Sequence, residues 1–283
     1  MNTVTISNEY LTVAISSKGA EMQSIKKEAR EHLWNGDPSI WSGRAPLLFP
    51  VCGALKDDKF IFSDKEYTLP RHGFARQSEF EVESAEKEKA VFLLRSNEET
   101  LTKYPFEFEL RVTYALDKSR INIEYAVKNL SKGEMYFSIG SHEAYACPEG
   151  IEAYSVIFDK CEDLTANRLD NGLVSQRTIN LGTNTQELPL RREYFEEDSL
   201  NFLNLNSRKV TLKNRKTGEQ IEVQFDGADY FLIWQKPGAN YICLEPWCGI
   251  ADFTDSDPDI TKKRGIVCLP ASGTFTKNHS ITF

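Results

Sequence analysis

Apolar and polar residues alternate with a period of two along most of this chain. Val4 and Ile6, then Leu11, Val13 and Ile15, are spaced by polar neighbours, and Ser7-Asn8-Glu9 between them reads as a turn, so the chain opens with a hairpin. Gly19 and Ala20 lead into a third strand over 21–26. The same rhythm predicts strands over 79–86, 90–96, 106–116, 121–129 and 135–139. It returns over 210–214, 221–225, 230–235, 241–244, 266–269 and 275–283. The segments 106–116 and 121–129, joined by Asp117-Lys118-Ser119-Arg120, form the clearest hairpin, and residues 214–219 read as a Gly-containing hairpin loop. No long segment keeps a 3.6-residue apolar stripe free of Gly and Pro, so helical turns are expected only near 97–103 and 194–199. Polar stretches at 162–187 and 254–264 read as loops, too short and too mixed to be linkers. The pattern predicts an all-β fold, a large antiparallel β-sandwich with few short helices, formed by residues 1–283 as a single domain.

Composition narrows the partners. Lys and Arg number 34 and Asp and Glu 42, so the net charge is 34 − 42 = −8, with no basic block. Nucleic-acid binding needs clustered cations and is not expected. The first fifteen residues carry no basic n-region and no apolar run of signal length, and no stretch approaches the ~20 apolar residues of a membrane helix. The six cysteines form no C-x-x-C pair and several sit in apolar runs, which predicts reduced, mostly buried thiols in a cytoplasmic protein.

Three stretches carry candidate chemistry. The first, 137–147, is an apolar strand that ends in small residues and delivers His142, one of four histidines, after Gly140 and Ser141. The second, Arg71-His72-Gly73-Phe74-Ala75-Arg76, follows Pro70; Gly73 permits close approach, and two arginines beside His72 favour a neutral imidazole. The third, Tyr241-Ile242-Cys243-Leu244-Glu245-Pro246-Trp247, holds Glu245 extended before a proline in apolar surroundings, where burial raises a carboxyl pKa toward the range of a useful base. Trp247 offers a flat face for a sugar. Arg44 stands at the mouth of Ala45-Pro46-Leu47-Leu48-Phe49-Pro50, an irregular apolar segment. Asp198 lies in an acidic run that, taken alone, is an ordinary solvated surface. Each of these residues also has a structural reading, as an ion pair, a satisfied core group or a surface loop.

These residues resemble the aldose 1-epimerase (galactose mutarotase-like) superfamily, above all its LacX-type branch. Through 71–76 they are also similar to the hexose-6-phosphate 1-epimerases. The motifs are Arg44 with 45–50, the run 71–76, Ser141-His142, and Glu245-Pro246-Trp247 with Gly249 and Asp252. The resemblance spans nearly the whole chain. It implies a β-supersandwich with a sugar cleft on one sheet, His142 as general acid toward the ring oxygen, and Glu245 as base toward the C1 hydroxyl. It also implies sugar-orienting roles for His72 and Arg44 and a hydroxyl-binding role for Asp198. The second motif departs from the galactose-type His-Gly-Gly, because Phe74 follows Gly73, and this puts galactose as preferred substrate in question.

The reading is therefore a cofactor-independent isomerase that interconverts hexose anomers by acid/base ring opening, working as a monomer or homodimer. Three competitors stay open at this point. One is a hexose-6-phosphate 1-epimerase, with Arg44, Arg71 and Arg76 as phosphate contacts. The second is a non-catalytic sugar-binding or regulatory protein. The third is a metal site formed by His72, His142 and Glu245.

Overall fold

The computed structural model describes residues 2–283. Its larger sheet has nine strands in the order Thr185–Pro189, Tyr154–Glu162, Lys209–Asn214, Gln220–Gln224, Thr274–Thr282, Arg120–Asn129, Phe108–Asp117, Lys89–Arg95, Glu81–Ala85. Every neighbouring pair is antiparallel. The expected central hairpin is present, with Asp117 opposite Arg120. Along Phe108–Asp117 the residues Phe108, Leu110, Val112, Tyr114 and Leu116 are buried in strict alternation, which fixes the register because a one-residue slip would expose them all.

A second sheet has seven strands and is centred on Tyr241–Cys248. One side of that strand pairs with Tyr230–Trp234, and the other with two short strands, Ile139–Gly140 and Glu143–Ala146. All eight residues of Tyr241–Cys248 are buried. The N-terminal hairpin Thr3–Ser7 and Leu11–Ser16 continues into Met22–Lys27 and Arg30–Glu31 as a separate four-stranded sheet. A continuous apolar core joins these layers; it includes Phe49, Tyr104, Phe106, Phe108 and Phe137. Each such side chain contributes on the order of 1.5–3 kcal/mol by leaving water. Antiparallel sheets over a shared core make this the large antiparallel β-sandwich expected from the alternation.

Helix is scarce, as expected. Glu98–Lys103 is the one α-helical turn region near 97–103; the Asn97 side chain accepts from Thr100 N at 2.9 Å, and Thr100 Oγ1 accepts from Asn97 N at 2.8 Å. The second expected turn is a 3-10 turn at Arg192–Phe195. Among the described residues no helix is long and apolar enough to cross a membrane.

One expectation is corrected. Residues 162–187 are not a loop: they form Thr165–Asp170 and Leu173–Asn180, then enter Thr185–Pro189. Leu173–Asn180 is an outer strand with both faces largely polar toward its end, so alternation does not betray it. The segment 45–51, by contrast, is buried and irregular as expected. It is held by isolated bridges from Leu48 to Gly140 and from Phe49 to Gly73.

Candidate active site

The site sits where one ladder is interrupted. Ile139 and Gly140 pair with Cys248 and Trp247; pairing resumes with Glu143 opposite Leu244. Between them Ser141 and His142 face Pro246 and Glu245 with no register pair. An interrupted ladder leaves backbone groups to be satisfied otherwise. Trp247 Nε1 donates to Ser141 O at 3.0 Å, and Lys277 Nζ donates to Pro246 O at 2.5 Å. A Cβ at Gly140 would meet the Trp247 indole at 2.5 Å, so Gly140 lets that ring lie against the chain.

His142 Nε2 stands 3.4 Å from Glu245 Oε2 across this interruption. Both residues are buried, at 8% and 1% exposure. Glu245 Oε2 and His142 Nδ1 have no hydrogen-bond partner among the described residues. Aromatic rings surround the imidazole. Trp41 stacks on it at 5.3 Å between centroids, Trp234 meets it edge-on at 5.5 Å, and His72 at 5.7 Å. This burial pushes the His142 pKa down to about 3, with Arg71 and Arg76 adding repulsion. Burial also pushes the Glu245 carboxyl well above its usual range, against the pull of Arg71.

His72 lies beside this pair in left-handed backbone conformation, φ 70°. Its Nδ1 accepts from Gly53 N at 3.1 Å, while its own N–H donates to Gly53 O at 2.8 Å. The Nδ1 acceptor role assigns the ring proton to Nε2. Burial, then His142 and the two arginines, keeps the His72 pKa well below its usual value. The neutral imidazole expected at this position therefore has desolvation as its main cause, ahead of the arginines. Gly73, φ 67°, follows directly; a Cβ there would lie 2.3 Å from Phe49 O. The 71–76 run is thus a packed turn and not a solvated loop.

A cavity of about 440 Å³ opens over these groups, within the range of small-molecule sites. His72, Arg76, Asp198 and Trp247 line it together with His142 and Glu245. Asp198 Oδ2 accepts from Arg71 Nη1 at 3.4 Å, and Asp198 Oδ1 accepts from Ser199 N at 2.9 Å. Arg44 is not brought to the cavity. Its guanidinium donates to the Gln23 carbonyl, its N–H to Glu21 Oε1 at 2.8 Å, and its carbonyl accepts from Ala144 N at 2.8 Å. Arg44 instead ties the N-terminal sheet to the strand that follows His142.

Other wall residues escaped sequence reasoning: Trp41, Trp234 and Lys236. Trp234 lies in a strand that the alternation did predict, beside the one bearing Glu245, and that adjacency was the available signal. Trp41 lies in an irregular segment with no periodic signal at all. The metal reading also changes its members. Donor atoms of His142, Cys243 and Glu245 lie within 4.8 Å of one another, and His72 is not part of that cluster. The Cys243 thiol is pushed well up by burial, so a cation would have to displace protons from buried groups.

The fold is thus an antiparallel sandwich whose broken ladder presents an imidazole and a carboxyl to a cavity, the arrangement that the resemblance to the aldose 1-epimerases implies. Comparison with known proteins agrees: the family model described as aldose 1-epimerase matches residues 2–270, and the chain belongs to that family. It is 35% identical to the plasmid-encoded protein LacX of Lactococcus lactis subsp. lactis, over 99% of both chains. The crystal structure of a galactose mutarotase related enzyme from Lactobacillus acidophilus superposes with a TM-score of 0.95 at 34% identity, covering 99% of this chain and 97% of that one. A galactose mutarotase-like protein from Lactobacillus casei ATCC 334 gives a TM-score of 0.93 at 27% identity, over 99% of each.

Proposed function

We propose that this protein is an aldose 1-epimerase that opens and recloses a hexose ring with His142 and Glu245. The observation that carries the reading is the facing pair itself: two buried groups, 3.4 Å apart, that both line a sugar-sized cavity. Such a pair suits a sugar, because O1 and O5 share carbon C1 and need an acid and a base a few ångströms apart.

The chemistry balances without further reagents. Glu245 as carboxylate takes the O1 proton, C1=O1 forms, the C1–O5 bond breaks, and O5 takes a proton from the His142 imidazolium. Rotation about C1–C2 turns the aldehyde, and the same transfers run backward to give the other anomer. The pair holds one proton throughout. In the free site burial favours that proton on Glu245, with His142 neutral. This is the protonation state that faces the open-chain aldehyde. Binding the closed ring requires the proton on His142, and Arg71 favours the resulting carboxylate. His72, held with Nε2–H outward, donates to a sugar hydroxyl; Asp198 accepts from one; Trp247 packs against the ring.

A phosphorylated hexose is the second reading, favoured by Arg71, Arg76 and Lys236 among the residues that line the cavity. Arg44 no longer belongs to that set. The chain is read as a single functional unit, supported by its continuous core, and as cytoplasmic, supported by six free thiols. The reading is tested by polarimetry of freshly dissolved α-glucose and by the same assay on its 6-phosphate. Faster relaxation to the anomeric equilibrium supports the epimerase; saturable sugar binding without acceleration supports a binding protein.

A further inference from the structure

The strand Thr274–Thr282 runs down the middle of the large sheet, and its inward residues should be apolar. Phe275 and Ile281 are. Lys277 and His279 are also inward, at 2% and 4% exposure. A buried ammonium is costly unless something is gained by keeping it. Burial pulls the Lys277 pKa down, so the position strains the charge it carries.

What these two side chains touch gives the reason. Lys277 Nζ donates to the carbonyl of Pro246, the residue after Glu245. Ser141 N reaches the same carbonyl only at 3.4 Å, because the ladder is interrupted there. His279 Nε2 lies 3.1 Å from Oε1 of Glu143, the residue after His142. Glu143 is itself buried at 2%. Two residues spaced i and i+2 on one strand thus reach the chain neighbours of the two reacting side chains, one on each side of the interruption.

We propose that Lys277 and His279 are positioning residues that brace the interrupted ladder from behind and so set the His142–Glu245 separation. The proposal rests on the epimerase reading for its catalytic consequence, though not for its structural one. Neither residue lines the cavity or meets substrate. They act through Pro246 and Glu143. Without Lys277 the Pro246 carbonyl keeps only the long Ser141 contact, and the strand carrying Glu245 is free to drift. Misplacement of a reacting group by about 1 Å costs on the order of 100-fold in turnover.

The test is Lys277→Met, which keeps the length and apolar stem and removes the charge. Relief of the buried charge offsets the loss of the bond to the Pro246 carbonyl, so the variant is expected to stay folded. Turnover is expected to fall about 10- to 100-fold, with KM changed by no more than about twofold. A plain structural residue would lose stability and activity together. The second readout is the His142 ring resonance by NMR, tractable with four histidines. It should move in Lys277→Met and in His279→Gln. Wild-type turnover in Lys277→Met, or turnover that falls only as far as the folded fraction falls, overturns the proposal. If the wild-type protein accelerates no sugar, the epimerase reading fails by itself. The resonance then decides the bracing: a shift keeps it and an unmoved His142 signal overturns it.

Discussion

His142 Nε2 and Glu245 Oε2 face each other at 3.4 Å across the one interruption in the pairing of Tyr241–Cys248 with its neighbours at 139–146. The break does two things at once. It frees the two side chains from a continuous sheet surface, and it leaves carbonyls that Trp247 and Lys277 satisfy. The consequences are open to measurement.

Removing either reacting group should remove the chemistry and leave the fold. Glu245→Gln and His142→Asn are each expected to lower turnover by about 10²–10⁴-fold. Circular dichroism should match the wild type. A variant with near-normal turnover removes that residue from its role.

Stability should respond to pH with opposite signs in these two variants. The folded His142 pKa is about 3 against an ordinary 6.5, so its contribution is present above 6.5 and is lost as pH falls toward 3. The folded Glu245 pKa is raised above 4.5, so its contribution is present below 4.5 and is lost as pH rises. Above about pH 4.5 and below 6.5 the two slopes oppose for as long as the folded Glu245 carboxyl keeps its proton. Glu245→Gln should therefore gain stability relative to wild type as pH rises through this window, by up to about 1.4 kcal/mol per pH unit, and His142→Asn should lose it. Urea denaturation at several pH values reads both slopes. Parallel curves for all three proteins would contradict the shifts.

Gly73 should tolerate no side chain. Gly73→Ala places a methyl 2.3 Å from Phe49 O at a left-handed φ. A loss of about 1–3 kcal/mol is expected in denaturant melts, with binding affected through the adjacent His72. A neutral substitution would mean that the Phe49 segment yields freely.

The arginines should separate by place. Arg76→Met, in the cavity wall, should raise KM for a phosphorylated hexose by about tenfold or more, near 1.4 kcal/mol, and change the unphosphorylated sugar less. Arg44→Met should leave both KM values near wild type and lower stability modestly instead, because its guanidinium bonds the Gln23 carbonyl while its backbone bonds to Glu21 and Ala144 survive the substitution. A large KM effect from Arg44 alone would reverse this assignment.

Much of this was legible in the chain. Alternation gives the long strands because one face of each is buried, as in Phe108–Asp117. His142, His72 and Glu245 stand out because each is a titratable group among small, rigid or aromatic neighbours. The remainder depends on contacts between distant segments. Arg44 looks like a cavity residue until its guanidinium is seen to face the N-terminal sheet. The edge strand Leu173–Asn180 lacks alternation because little of it is buried. Lys277 and His279 did leave a trace, two polar residues at the inward phase of Thr274–Thr282, but only the partners Pro246 and Glu143 give it meaning.

The most direct measurement of the central claim is two-dimensional NMR exchange between α and β anomers of glucose, galactose and their 6-phosphates, with wild type beside Glu245→Gln. The account predicts exchange cross-peaks for at least one sugar with wild type, reduced to the uncatalysed level with Glu245→Gln. Equal exchange with both proteins, or none above the uncatalysed level with either, would contradict it.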